Sequence, residues 1–218
     1  MTKPNSERSI FTLNTKTTLD DIFASNTQWV SQMEVTKPGL FSKYNAFGQQ
    51  PHTLLICCSD SRYNENCLGV VPGEVFTMKT VANICHAEDL TLLATLEFAI
   101  NCLKINRVII MGHTDCGGIK TCLLDEKKCL PSLNCNNLSK YLQEIEDMLV
   151  ETMENDAHFN KLTELKEKSK YLSIVNVKKQ FDTIGRNETV INAQRTKRLK
   201  VFGLLYNVDT GLLENCIE

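Results

Sequence analysis

The chain has 218 residues, of which 42% are hydrophobic and 23% charged, the size and apolar content of a single globular domain with a full core. Its formal net charge of -2 provides no general attraction to nucleic acid or to anionic membranes, so neither is an expected partner. No apolar stretch approaches the roughly 20 residues that span a bilayer, and residues 1–12 lack a signal-peptide core, so we expect a cytoplasmic protein. Its ten cysteines are then expected to be mostly reduced.

An amphipathic helix is predicted over residues 17–34. Thr18 and Asp21 have the spacing of a capping box, in which two side chains satisfy backbone amides of the first turn. The apolar residues of this segment fall close to one face and are unusually aromatic: Leu19, Ile22, Phe23, Trp29, Val30 and Met33. Two roles are open for such a face, covering the chain's own core or packing on a second subunit.

Continuous apolar runs at residues 53–57 and 107–111 have the length and composition of strands buried on both faces of a parallel sheet. A third strand is predicted at residues 75–79. Asp89 can cap a helix that runs to about residue 103, and its apolar residues surround it, so we expect this helix to be largely buried. Strand, helix and strand together form a βαβ unit.

The second half of the chain is predicted to be mainly helical, with a last strand near its end. The predicted segments are a loop at 122–137, a pair of charged surface helices at 138–170, one or two helices at 176–194 broken near Gly185, a strand at 199–206, and an edge strand that begins at Leu212 after a turn at 209–211.

Two cysteine-bearing segments directly follow the two buried strands, Cys-Ser-Asp-Ser-Arg at 58–62 and His-Thr-Asp-Cys-Gly-Gly at 113–118. In an open α/β sheet, ligands bind in the crevice beyond the carboxyl ends of the strands. Zinc takes thiolate and imidazole ligands, and a catalytic zinc site keeps one position open. The sequence therefore predicts a zinc site to which Cys58, His113 and Cys116 supply three ligands.

Asp60 and Arg62 are spaced to form a charge-assisted pair beside this site. Two roles are open for Asp60. It can occupy the fourth coordination position itself, or it can be drawn away by Arg62 and accept a hydrogen bond from water at the metal.

At these residues the sequence resembles the β-class carbonic anhydrases, and it is closely similar to the fungal members of that family. The resemblance is strong over residues 48–123 and weaker outside them. Its motifs are Gly-Gln-Gln-Pro at 48–51, Cys-Ser-Asp-Ser-Arg at 58–62, Pro-Gly-Glu-Val-Phe at 72–76, Val-Ala-Asn at 81–83 and Gly-His-Thr-Asp-Cys-Gly-Gly at 112–118.

The resemblance implies one zinc ion per subunit, bound by Cys58, His113 and Cys116, with Asp60 and Arg62 as the catalytic dyad. It also implies a set of substrate-binding residues, some facing a pocket to which the neighbouring subunit contributes. In this set Gln49 hydrogen-bonds the substrate, Phe76, Val81 and Phe98 line a narrow apolar pocket, and Gly117 completes the set.

The same resemblance implies an α/β fold with a mostly parallel four-stranded sheet, an additional edge strand, flanking helices and an N-terminal helical arm. Residues 1–218 would form one domain, and residues 1–40 would be the arm that packs on the partner subunit of a homodimer or higher oligomer.

The implied activity is zinc-dependent, reversible hydration of carbon dioxide to bicarbonate and a proton by attack of zinc-bound hydroxide, which would supply bicarbonate for metabolism. Two alternatives remain open. One is a zinc hydrolase of carbon disulfide or carbonyl sulfide on the same fold. The other is a thiol redox or metal-buffering protein in which Cys58 and Cys116 form a disulfide when zinc is absent.

Overall fold

The computed structural model describes residues 11–217, and the chain divides into two compact units between Gln49 and Gln50. The single domain and the arm at residues 1–40 remain predictions. Within residues 11–217, no helix combines the length and the apolar character that crossing a bilayer demands.

The first unit is built around helix α1, Leu19–Thr36. The predicted capping box is confirmed, because the Asp21 amide donates to Thr18 Oγ1 at 3.2 Å and the Thr18 amide donates to Asp21 Oδ2 at 2.8 Å. No side chain of α1 is buried. Trp29 packs on Phe41 with the two ring centroids 5.5 Å apart.

The second unit contains a five-stranded sheet with the strand order β2-β1-β3-β4-β5. Its strands are β1 (Thr53–Cys58), β2 (Val75–Thr80), β3 (Arg107–His113), β4 (Lys200–Tyr206) and β5 (Leu213–Asn215). The first four pair in parallel and β5 pairs antiparallel with β4 at the edge, which confirms the expected sheet. All six residues of β1 are buried, as a strand covered on both faces requires.

The helices of this unit flank the sheet. They are α2 (Leu90–Glu97), α3 (Gly117–Leu123), α4 (Asn136–Tyr141), α5 (Gln143–Asn155), α6 (Ala157–Lys161), α7 (Leu165–Gly185) and α8 (Glu188–Arg195). The predicted break near Gly185 is confirmed, since α7 ends there and Asn187 caps α8.

Two predictions for the second half of the chain differ from the structure. The segment 122–137 is not simply a loop, because α3 continues to Leu123 and 3-10 turns form at Glu126–Cys129 and Pro131–Leu133. The region 138–170 contains more than a pair of surface helices, and α5 buries one apolar face that includes Ile145 and Met148. The many charged residues on the outer face of α5 dominate its sequence, so the sequence analysis did not predict the buried apolar face.

Helix α2 was expected to be largely buried, and this is wrong. Leu92 and Leu96 are in the core, whereas Leu90 is 79% exposed and Phe98, in the π-helical turn that follows, is 45% exposed. The sheet covers one face of α2, so apolar residues on the other face stay in contact with solvent in a single chain.

Helix α7 crosses closely over β3 and β4, and Gly112 in β3 makes this approach possible. A Cβ atom at Gly112 would lie 2.7 Å from Val177 Cγ2, shorter than van der Waals contact. Val177 is fully buried on α7, so it has little room to move.

We expect Gly112→Ala to lower the free energy of unfolding by about 1–3 kcal/mol, the usual cost of overpacking a dense core. Urea denaturation followed by circular dichroism measures this loss. Gly185→Ala is the matched control, because a Cβ there meets nothing within 4 Å. Equal stability of the two variants would contradict the close contact.

Candidate metal centre

Three buried side chains converge beyond the carboxyl ends of two neighbouring strands. Cys58 is the last residue of β1, His113 is the last residue of β3, and Cys116 directly precedes α3. Their ligand atoms all lie within 4.8 Å of one another, and their exposed fractions are 5%, 0% and 3%. The parallel pairing of β1 with β3 brings the three residues to one point and forms a group that could hold a metal ion.

The imidazole of His113 is prepared for coordination. Its Nδ1 lies 2.9 Å from the carbonyl oxygen of Thr114, so Nδ1 carries the hydrogen and Nε2 keeps its lone pair. Nε2 is buried and has no hydrogen-bond partner among residues 11–217. A buried polar atom without a partner is costly, and coordination to a cation would satisfy it. Metal-binding histidines commonly donate their other ring N–H to a carbonyl in this way.

The two thiols form a coupled pair. The sulfur atoms of Cys58 and Cys116 lie within 4.8 Å of each other, and the interaction with Cys116 is the main reason that the pKa of Cys58 lies well below its usual range, against the effect of burial. The same interaction, followed by burial, raises the pKa of Cys116. The thiolate is the form that binds metal, so the lowered pKa of Cys58 favours metal binding. Two sulfurs and one imidazole nitrogen are a donor set that suits zinc.

Asp60 is held by Arg62 through both of its carboxylate oxygens. The backbone N–H and the Nε of Arg62 each donate to Asp60 Oδ1 at 2.9 Å, and Nη2 donates to Oδ2 at 2.8 Å. The side-chain hydrogen bonds from Arg62 are the largest cause that lowers the pKa of Asp60 to about 2, although partial burial opposes them. Asp60 Oδ2 lies 3.8 Å from His113 Nε2. Both carboxylate oxygens of Asp60 are thus bound by Arg62, and one of them also lies near the candidate ligand His113.

Arg62 also donates hydrogen bonds to Asp115, a contact that the sequence analysis did not predict. Its Nη1 donates to Asp115 Oδ2 at 2.8 Å, and its Nη2 donates to the Asp115 carbonyl oxygen at 3.0 Å. Lys120 donates to the other carboxylate oxygen of Asp115 at 2.8 Å. Burial alone would raise the pKa of Asp115, but the hydrogen bonds from Lys120 and Arg62 outweigh it and lower that pKa. The sequence contained a signal for this contact. Asp115 lies inside the His-x-x-Cys segment after β3, and Arg62 follows the neighbouring strand β1.

The predicted substrate-binding residues lie on several elements. Phe76 in β2 and Phe98 pack together with ring centroids 5.7 Å apart. Val81 follows β2 directly and is 39% exposed. Gly117 begins α3, and a Cβ atom there would meet nothing within 4 Å. Gln49 is the last residue of the other compact unit, and its role remains a prediction.

The turn Val81–Asn83 is strained and is held by helix α7. Its last two residues, both non-glycine, have left-handed φ values of 53° and 48°. Asn176 Nδ2 donates to the carbonyl oxygen of Ala82 at 2.8 Å, and Gln180 Nε2 donates to Asn176 Oδ1 at 3.0 Å. A Cβ atom at Gly118 would lie 3.0 Å from the Cβ of Ala82. Buried polar residues of α7 therefore hold this turn against the start of α3. Sequence reasoning did not identify them, although two amide side chains one helical turn apart were a signal.

Comparison with known proteins identifies the family. A family model described as carbonic anhydrase matches residues 53–213. A carbonic anhydrase from Saccharomyces cerevisiae is 60% identical over 206 residues, which cover 94% of this chain and 92% of that relative.

Solved structures share the fold. A tetrameric β-carbonic anhydrase from Sordaria macrospora superposes with a TM-score of 0.77 and 26% identity, and the match covers 89% of this chain and 94% of that one. A Coccomyxa β-carbonic anhydrase in complex with acetazolamide gives a TM-score of 0.81 and 25% identity, covering 93% of this chain and 88% of the other. The chain therefore belongs to the β-carbonic anhydrases, close to their fungal members, and is an enzyme of the class that hydrates carbon dioxide.

Proposed function

We propose that the chain catalyses zinc-dependent, reversible hydration of carbon dioxide to bicarbonate and a proton, with one zinc ion per subunit bound by Cys58, His113 and Cys116. The observation that carries this proposal is the convergence of two buried thiols and an unpartnered imidazole nitrogen within 4.8 Å. The carbonic anhydrase relatives support hydration over hydrolysis of carbon disulfide or carbonyl sulfide.

Carbon dioxide is a weak electrophile and needs a strong nucleophile at neutral pH. Zinc bound at this site would provide one by lowering the pKa of a coordinated water molecule from about 15.7 toward neutral values. Cys58 and Cys116 would together offset the charge of the ion, so we expect that pKa to be higher than at a site with three neutral histidines.

Asp60 would orient the nucleophile. An ionised carboxylate can only accept hydrogen bonds, and a pKa of about 2 keeps Asp60 ionised throughout the neutral and alkaline range. Arg62 fixes the direction of both carboxylate oxygens. Asp60 would therefore accept a hydrogen bond from the nucleophile and direct an oxygen lone pair toward the carbon atom of the substrate.

A narrow apolar pocket suits an apolar, linear substrate. Phe76, Phe98 and Val81 would line this pocket and exclude water, with part of the lining contributed by the neighbouring subunit. Gly117, which has no side chain, would leave space for the substrate. The Gln49 amide would hydrogen-bond a substrate oxygen. This assignment rests on the family resemblance together with the packing of the two phenylalanine rings.

We also propose that the chain acts in the cytoplasm, where it would supply bicarbonate for metabolism, as a homodimer or higher oligomer assembled through residues 1–40. Helix α1 has no buried side chain, and Leu19 and Phe23 on its apolar face are 64% and 60% exposed. The relatives from Sordaria macrospora are tetrameric, which is consistent with assembly.

A thiol redox role has one observation in its favour, the position of the Cys58 and Cys116 sulfur atoms within 4.8 Å of each other. Removal of zinc would leave these thiols able to form a disulfide. Counting free thiols with and without a chelator, in air and under reductant, distinguishes this role from simple metal loss.

The metal proposal predicts about one zinc per subunit by elemental analysis and carbon dioxide hydration by stopped flow on the same sample. Cys58→Ser should lower zinc occupancy and turnover at least tenfold, because it removes a thiolate ligand. Cys102→Ser, at an exposed cysteine, is the matched control and should change neither. Reduced, metal-free protein with full activity would overturn the proposal. Faster turnover of carbon disulfide or carbonyl sulfide would favour the hydrolase.

Asp60→Asn should retain most of the zinc and lose about 100-fold in turnover, a typical size for misplacing a reacting group. The asparagine amide has the shape of the carboxylate, but its NH2 group donates hydrogen bonds. Only a hydrogen-bond acceptor at this position would orient the nucleophile. Asp125→Asn is the control, since that exposed carboxylate pairs with Lys128. Full turnover by Asp60→Asn would remove Asp60 from the mechanism.

Turnover should increase from about pH 7 to about pH 9, the range in which zinc-activated water ionises. The Asp60 carboxylate, with a pKa of about 2, and the Arg62 guanidinium, whose pKa is raised mainly by its hydrogen bonds with Asp60, keep their charges across this range. The increase would therefore report the ionisation of the nucleophile. A flat stopped-flow profile over the same interval would contradict the hydroxide mechanism.

A further inference from the structure

Tyr63 is a buried residue with a hydroxyl between the ends of β1 and β3. Its exposed fraction is 4%. The backbone N–H of Cys58 donates to the Tyr63 hydroxyl oxygen at 2.8 Å, and that hydroxyl donates to the carbonyl oxygen of Met111 at 3.0 Å. Neither hydrogen bond orients Asp60 or Arg62. The function of the loop after β1 in holding those two residues therefore does not explain the hydrogen bonds of Tyr63.

The hydroxyl contacts both strands at the point where their pairing stops. The residue pairing of β1 with β3 ends at Cys57 and Met111, one residue before Cys58 and two residues before His113. The Tyr63 hydroxyl bonds the Cys58 amide of one strand and the Met111 carbonyl oxygen of the other. It therefore joins β1 to β3 where Cys58 and His113 leave the sheet.

The ring of Tyr63 contacts the second ligand. Its centroid lies 4.9 Å from that of the His113 imidazole. On β4, Tyr206 pairs with His113 and stacks on Tyr63 with centroids 5.0 Å apart and an interplanar angle of 9°. One side chain therefore contacts the backbone of the first ligand and the ring of the second.

We propose that Tyr63 is a positioning residue of the metal centre, with a hydroxyl that holds the Cys58 backbone on β3 and a ring that packs on His113. The proposal rests on the metal site described under the proposed function. Tyr63 acts through the ligands and does not touch the reacting atoms. In Tyr63→Phe the ring remains, but the Cys58 amide and the Met111 carbonyl oxygen lose their contact with the hydroxyl. The Cys58 backbone is then held less firmly beside His113.

The test compares wild type, Tyr63→Phe and Tyr171→Phe. Tyr171 donates a hydrogen bond from its hydroxyl to Asp156, so Tyr171→Phe loses a phenol hydrogen bond that does not involve β1 or β3. Zinc affinity is measured by competition with chelators of graded strength, and site geometry by the absorption spectrum of the cobalt(II)-substituted protein. Thermal melts of the metal-free forms report folding separately.

We expect Tyr63→Phe to bind zinc about 10- to 100-fold more weakly than wild type, the usual effect of losing a group that orients a ligand. Its cobalt(II) bands should shift, whereas those of Tyr171→Phe should not. Equal zinc affinity and equal spectra in wild type and both variants would overturn the role of Tyr63. Absence of zinc binding in wild type and Tyr171→Phe would instead overturn the metal site itself.

Unnatural residues at position 63 test the same idea if Tyr63→Phe does not fold. Replacement of Tyr63 by 4-aminophenylalanine keeps a donor and an acceptor at the ring end, and should keep zinc affinity within about threefold of wild type. Replacement by 4-methylphenylalanine fills similar space with neither, and should show the weaker binding expected from loss of the two hydrogen bonds. Equal zinc affinity of these two proteins would overturn the proposal.

Discussion

The parallel pairing of β1 with β3 is the constraint on which the site depends. Cys58 and His113 are far apart in the chain, and they meet because their strands run in the same direction and end at the same edge of the sheet. Strand β1 is buried along its whole length, so its register cannot slip without moving core residues into solvent. The buried strand therefore fixes the positions of the side chains that could hold a metal.

Around these candidate ligands, polar contacts join segments that are distant in sequence. Arg62 connects the loop after β1 with the loop after β3, because it donates to both Asp60 and Asp115. Asn176 on α7 holds the strained turn after β2. Each contact satisfies polar groups beside the site and limits the movement of a loop. The arrangement suits catalysis by a group held in one orientation, since the hydrogen-bonded pair with Arg62 keeps Asp60 charged and directed.

Local patterns were sufficient to predict the elements that carry the site. The continuous apolar runs predicted β1 and β3. The residues directly after these runs predicted the candidate ligands, because a strand end and a metal-binding residue type can both be recognised within a few residues of sequence. The same patterns failed for α2 and α5. A helix that is apolar all round can still present one face to solvent, and a charged segment can still bury a stripe, because burial depends on what the rest of the chain packs against it.

By itself, the sequence determined the fold class, the order of the strands along the chain, the capping box of α1 and the chemistry available at two strand ends. Only the tertiary structure decided the hydrogen bonds of Tyr63 between strands, the anchoring of Arg62 by Asp115 and the support of Ala82 by Asn176. Those contacts join residues 48, 53 and 94 positions apart, and their existence depends on angles and distances that strand packing establishes. Residue type and spacing encode which groups are present, whereas folding decides which groups come within the roughly 3 Å of a hydrogen bond.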